Sequence, residues 1–202
     1  MRYVIICMIG YFIGSISIAA LLSKAKKTDL RKNGTGNLGA TNTFMVIGKG
    51  WGITVMLFDI AKAAASMLLA GYLFPEAETA EMLAGCGAVL GHIFPFYMKF
   101  KGGKGLAALC GMIITVDWKG FALILAVAVS LALIVNYAVA MPVTAAALFP
   151  ILVWFRMRSV THLLIALAAS IAVIVKHLGN IRRAFGGSDW KIREYFRTHL
   201  KK

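Results

Sequence analysis

The chain has 202 residues, 60% of them hydrophobic, with a mean hydropathy of +0.79 and a formal net charge of +14. Soluble domains carry roughly 45–50% apolar residues, so composition excludes an ordinary soluble fold and indicates an integral membrane protein. The cations are segregated between apolar runs instead of covering one surface, which points to a bilayer and excludes nucleic acid as the partner.

Tyr3 to Leu22 reads as the first membrane helix, long enough to span and so not a cleaved signal peptide. A polar loop, Ser23 to Thr43, follows with Lys24, Lys26, Lys27, Arg31 and Lys32. The second span is expected from about Gly50 to Phe74 and the third from Glu81 to Met98, joined by the acidic connection PEAETAE. Leu106 to Val116 is only 11 residues. A full crossing needs roughly 17–25, so this is read as a short one. Phe121 to Val135, extending towards Tyr137, Met141 to Phe155 and His162 to Val175 complete the series, with Pro142 and Pro150 near or inside the sixth span.

Counting the short segment gives an all-α integral membrane protein with seven transmembrane helices, N-terminus outside and C-terminus cytoplasmic. The alternative, a re-entrant Leu106–Val116, would place eight cations between Lys176 and Lys202 outside. Seven crossings put all three basic segments inside, at the cost of an outward Arg156 and Arg158. No repeat or linker divides the chain, so residues 1–202 are expected to form one domain, with a basic cytoplasmic tail from about residue 178.

Cys7, Cys86 and Cys110 are scattered through apolar runs without metal spacing, which suits reduced core cysteines. Asp59 and Lys62, at i and i+3, share one face of the second span. Charges inside a membrane usually pair or serve function, and a pair that fixes helix orientation is the preferred reading. His162 and His199 lack polar company and read as structural.

Three polar clusters remain. Gly34-Thr35-Gly36-Asn37-Leu38-Gly39 matches GxGxxG, with Asp59 twenty residues on. It follows a lysine-rich turn, not a strand, and Asp59 lies within a span, so a dinucleotide site is excluded. What survives is a glycine loop with neutral donors at Thr35, Asn37, Thr41 and Asn42, suited to an oxyanion. The central stretch GHIFPFYMKFKGGKGL, Gly91 to Leu106, interleaves Gly102, Gly103 and Gly105 with Lys101 and Lys104, downstream of His92 and Pro95. Glycine lets backbone N–H groups approach a phosphate that the lysines would neutralise. The third cluster is KHLGNIRR, Lys176 to Arg183, where His177 and Asn180 share a helix face and are suited to phosphate binding or proton transfer. Three such clusters on one membrane face suggest a site for two phosphate-bearing molecules, one of them lipophilic.

TGNLGATN (Thr35–Asn42), GHIFPFYMKFKGGKG (Gly91–Gly105) and KHLGNIRR (Lys176–Arg183) resemble, in order and spacing, the three signature motifs of the PlsY family. These are bacterial acyl-phosphate:glycerol-3-phosphate acyltransferases of seven-helix fold. The chain departs from the family pattern with Thr35 for serine, Met45 for arginine and Ala108 for threonine. In the third motif Lys176 replaces arginine, Ala184 leucine and Asp189 glutamate. Met45 removes a cation. Lys49, four residues on, would stand one turn away on a continuous helix.

The resemblance implies an inner-membrane enzyme of phospholipid biosynthesis that moves an acyl group from acyl phosphate to the 1-hydroxyl of glycerol 3-phosphate. It would act without cofactor or metal, as a monomer in the lipid bilayer. Catalytic roles fall to Lys104, His177 and Asn180. Substrate binding falls to Thr35, Gly36, Asn37, Gly39, Thr41, Asn42, His92, Lys101, Gly102, Gly103, Lys104, Lys176 and Arg183. The acceptor's proton passes to His177 or to the donor's own phosphate. The alternatives are a divergent member with another acceptor or no activity, and a small anion transporter, which would instead place its polar groups near the bilayer midplane.

Overall fold

The structure, a computed structural model, describes residues 1–189 and 191–199. Lys201 and Lys202 of the basic tail and the His199 side chain lie outside the described residues. The described chain is helical: α1 (Arg2–Ser15), α2 (Ile18–Ala25), α3 (Ala40–Val46), α4 (Lys49–Leu73) and α5 (Ala80–Ile93) precede a 3-10 turn at Phe96–Met98. Then come α6 (Leu106–Val116), α7 (Trp118–Val135), α8 (Ala140–Met157), α9 (Val160–Phe185) and α10 (Ile192–His199). Among the described residues, five segments are long and apolar enough to cross a bilayer: α1 with α2, then α4, α7, α8 and α9. α9 continues past Leu178 to Phe185, so the residues expected to open the tail are still helical.

The first span departs from the expected single helix. It breaks at Ile16 and Ser17, which are extended. Ser17 caps α2, its hydroxyl accepting from the Ala20 N–H at 3.2 Å. A break at membrane depth frees carbonyls that lipid cannot satisfy. Two are taken by distant side chains: Tyr97 donates to the Ser15 carbonyl at 2.7 Å, and Lys62 to that of Ile16 at 2.7 Å.

The helix at the expected third span is shorter than Glu81 to Met98. α5 ends at Ile93 because the following Phe94 precedes Pro95, and a residue before proline is driven out of the helical region. α5 is nonetheless the most enclosed helix, buried at 11 of its 14 positions. It packs against α1 backbone to backbone, with Gly10 and Gly14 facing Ala84 and Ala88, and Gly87 and Gly91 facing Cys7 and Tyr11. Small residues at such crossings let helices approach where no hydrophobic force drives them together in lipid.

α3 and α4 are separate helices, since Gly48 between them has φ of +134°. Met45 and Lys49 therefore do not share a continuous helix. Pro142 lies in the first turn of α8, where its missing N–H costs nothing, and Pro150 lies buried in the helix interior. Asp117 caps α7 and pairs with Arg156 across 3.2 Å, giving one of the two anomalous arginines a partner.

The glycine crossing makes a direct prediction. A Cβ at Gly14 would run into the Ala88 backbone, whereas one at Gly50, in the first turn of α4, would meet nothing within 4 Å. Gly14→Ala should lower stability by about 1–3 kcal/mol through overpacking. Gly50→Ala should be neutral or stabilising by about 0.5–1 kcal/mol. Thermal melts of the purified variants in detergent would show the difference.

Candidate active site

The central loop folds back along the end of α5. Lys99 and Phe100 both take left-handed backbone, with φ of +55° and +57°, uncommon for residues with side chains. That reversal brings the Gly102 N–H to the Ile93 carbonyl and the Gly103 N–H to that of His92, each at 3.0 Å. These two amides are thus engaged, which corrects the expectation that they face a phosphate. Their glycines are required by proximity: a Cβ on Gly103 would strike the His92 ring and approach the Leu38 carbonyl at 3.0 Å.

Beyond Gly103 the chain delivers Lys104 to α9, where its ammonium donates to Asn180 Oδ1. Asn180 and Arg183 both reach Asp189 Oδ1, at 3.5 and 3.4 Å. One helical turn before Asn180 lies His177, only 7% exposed. Its Nδ1–H donates to the Val173 carbonyl at 2.8 Å, so in the neutral ring Nε2 is an unprotonated acceptor. Lys176 lies over the Phe94 ring at 5.2 Å, tying α9 to the start of the same loop. Lys104, His177, Asn180, Lys176 and Arg183 thus converge where the central loop meets α9.

Burial holds the Lys104 ammonium below the ordinary lysine range, with Arg183 and then Lys176 adding to the effect and Asp189 opposing it.

The first loop is built around Asn42, which is buried. Its Oδ1 accepts from the Thr35 N–H at 2.6 Å and its Nδ2 donates to the Leu30 carbonyl at 2.7 Å. Asn42 closes the loop rather than presenting its amide outward. Gly34 and Gly36 turn there with φ of +61° and +70°. Thr35, Gly36 and Thr41 are exposed, Asn37 is half-buried, and Gly39 is buried at the start of α3. The loop meets the central one where Arg31 donates to the carbonyl of Lys101, whose own side chain is exposed, at 2.8 Å.

His92 faces inward, with Nδ1 at 3.1 Å from Lys62 Nζ and 3.4 Å from Asp59 Oδ1. This joins it to the Asp59–Lys62 pair, with its ring against Gly103. Arg31 and Asp189 were not read as site residues from sequence. The one available signal was an acid set among the eight cations of the tail.

Two cavities adjoin these loops. A basic one of about 300 Å³ is lined by Ser23, Asp29, Arg31, Tyr97 and Lys99. An apolar groove of about 400 Å³ runs between Phe12, Ile16, Leu21 and Phe96 and also uses Tyr97 as its wall.

A family model for glycerol-3-phosphate acyltransferase matches residues 4–187. The chain belongs to the glycerol-3-phosphate acyltransferase family. Curated members include proteins of that name from Mesorhizobium japonicum, 37% identical over 91% of this chain and 92% of that one, and from a Bradyrhizobium species, 38% identical over 92% of each. Crystal structures of PlsY, described as an integral membrane glycerol 3-phosphate acyltransferase, share the fold. The glycerol 3-phosphate form superposes with a TM-score of 0.87 at 28% identity, covering 95% of this chain and 96% of that one. The lysophosphatidic acid form gives 0.84 at 27% identity, covering 95% of each. Membership in this family and the long apolar helices make the chain a multi-pass protein of the bacterial inner membrane.

The environment of Lys104 predicts a pH dependence. A depressed pKa means the ammonium loses its proton at lower pH than a free lysine, so acyl transfer that needs the charge falls as pH rises through that value. Asp189→Asn removes the influence that holds the proton and should move the alkaline limb of kcat/KM to lower pH. Lys176→Met removes a repelling cation and should move it higher. Coincident limbs in all three proteins would assign the limb to another group.

Proposed function

We propose that this protein transfers a fatty acyl group from acyl phosphate to the 1-hydroxyl of glycerol 3-phosphate, giving lysophosphatidic acid and phosphate for phospholipid synthesis. The observation that carries this reading is the Lys104–Asn180–Arg183 cluster beside His177, built by two signature motifs of an acyltransferase family. A relative crystallised with glycerol 3-phosphate and with lysophosphatidic acid supports the acceptor and the product.

Acyl phosphate is a mixed anhydride and is already activated. The acceptor hydroxyl attacks the acyl carbon, the bond between that carbon and the bridging oxygen breaks, and phosphate leaves with that oxygen. Lys104, Arg183 and Lys176 supply positive charge to the phosphates. The first-turn amides of α6, which no side chain caps, are donors immediately beyond Lys104 and suit an anion. Thr35 and Asn37 offer neutral donors from the first loop. The hydroxyl proton passes to the departing phosphate or to His177 Nε2. Asn180 holds Lys104 in place, so its role is orientation. All three clusters come from one chain, which suits a monomer.

The same reading includes seven crossings with the N-terminus outside and the motif loops in the cytoplasm. In support, Asp117 meets Arg156 and Glu78 meets His162 at one end of the helices. Asn136 meets Ile192 and Arg193, and Lys104 meets Asn180, at the other. Single cysteines at Ser23, Lys99 and Ser188 in a cysteine-free background should resist a membrane-impermeant thiol reagent in intact cells; labelling of any one would overturn the arrangement.

The activity is tested with purified protein, palmitoyl phosphate and labelled glycerol 3-phosphate, scored for lysophosphatidate. Losing a charge-assisted hydrogen bond costs roughly 1.5–3 kcal/mol, so Lys104→Ala should lower kcat/KM about tenfold or more. Lys26→Ala, which removes a cation lying over Trp51, should change it little. If Met45 has cost the acceptor pocket a cation, Met45→Arg should lower KM for glycerol 3-phosphate by about tenfold. An unchanged KM would point to a different acceptor.

A further inference from the structure

The family reaction does not by itself account for a charged cluster in the interior of the helices. Asp59 is 3% exposed, Lys62 4% and His92 8%. The Lys62 ammonium has three acceptors within reach: Asp59 Oδ1 at 2.6 Å, the Ile16 carbonyl at 2.7 Å and His92 Nδ1 at 3.1 Å. An ammonium has three protons, so each finds a partner. The acceptors come from α4, from the α1–α2 break and from α5. When Nδ1 accepts from Lys62, the neutral His92 ring carries its proton on Nε2.

An apolar core would hold three helices together without the cost of burying these charges. This cluster also grips the glycine loop. The His92 carbonyl accepts from the Gly103 N–H, and the His92 ring lies so close to Gly103 that a Cβ there would strike it. The residue after Gly103 is Lys104. A continuous chain of contacts therefore runs from the break in the first helix, through Lys62 and His92, to the loop segment that presents Lys104 to Asn180.

We infer that Asp59, Lys62 and His92 are positioning residues for acyl transfer: Lys62 fixes His92, His92 fixes Gly103, and Gly103 sets the place of Lys104. This rests on the acyltransferase reading for its kinetic consequence, though not for its structural one. Lys62 touches no reacting atom in this scheme; removing it lets the loop shift.

Two measurements on the full-length protein in detergent test it. In hydrogen–deuterium exchange, Lys62→Met should speed exchange of the peptide spanning Lys101–Gly105 about tenfold or more, while the α9 peptides keep their rates. In the palmitoyl phosphate assay, Lys62→Met should lower kcat/KM about tenfold, and the double variant with Lys104→Ala should fall no more than about twofold below Lys104→Ala alone. A purely structural Lys62 would instead give losses that multiply, or exchange that rises throughout. Either result overturns the inference, as does an unchanged exchange rate in the loop. Should Lys62→Met alone not fold, Asp59→Asn with Lys62→Met leaves no uncompensated charge and is scored by the same two measurements. If the unaltered protein shows no acyl transfer, the functional reading falls, and the exchange result still decides whether the cluster holds the loop.

Discussion

Backbone carbonyls with no water to face are the constraint on which this structure turns. The first span is broken at Ile16 and Ser17, and each carbonyl freed there must find a donor inside the protein. The carbonyl of Ser15 takes the Tyr97 hydroxyl and that of Ile16 the Lys62 ammonium. Those two donors belong to the central loop and to α4. Satisfying a local defect thus ties the first helix to the elements that build the site. Tyr11, which donates to the Phe94 carbonyl at 2.7 Å, adds a further tie between α1 and the start of the same loop.

The site is assembled by this framework more than by its own polar contacts. The glycine loop is clamped by α5, whose glycines let it press against α1, and by Arg31 reaching from the first loop. Lys104, Asn180, Arg183 and Asp189 then form a chain of donors and acceptors at one end of the helices. Asp189 engages Asn180 and Arg183 together, which sets their spacing and tempers the cluster's excess of positive charge.

Much of this was legible in the sequence because hydrophobic runs and charge asymmetry are strong signals in membrane proteins. α4 falls within a residue of expectation at each end, and α6 matches it. The Asp59–Lys62 pair followed from spacing alone. The break in the first span did not show, because neither proline nor an unusual run of polar residues marks Ser15-Ile16-Ser17; what sustains it is a lysine 46 positions away. The end of α5 was overrun because Phe96, Tyr97 and Met98 continue the apolar run, although Pro95 held the signal. His92 and Asn42 looked like ligands because histidine and asparagine beside glycines suit anions equally well. Only packing tells that their polar atoms are turned inward.

α5 has 14 residues, and at 1.5 Å per residue it rises about 21 Å against a hydrocarbon core of about 30 Å. α4, with 25 residues, rises about 38 Å, so the central loop begins at the end of a much shorter helix. The glycine loop folds back along the last turn of α5, with the Gly102 and Gly103 amides on the Ile93 and His92 carbonyls. Under the proposed acyl transfer, a water-soluble acceptor would reach this loop from the aqueous side while a chain-bearing donor kept its tail in the surrounding lipid. The two would then meet where the polar and oily parts of a lipid molecule join.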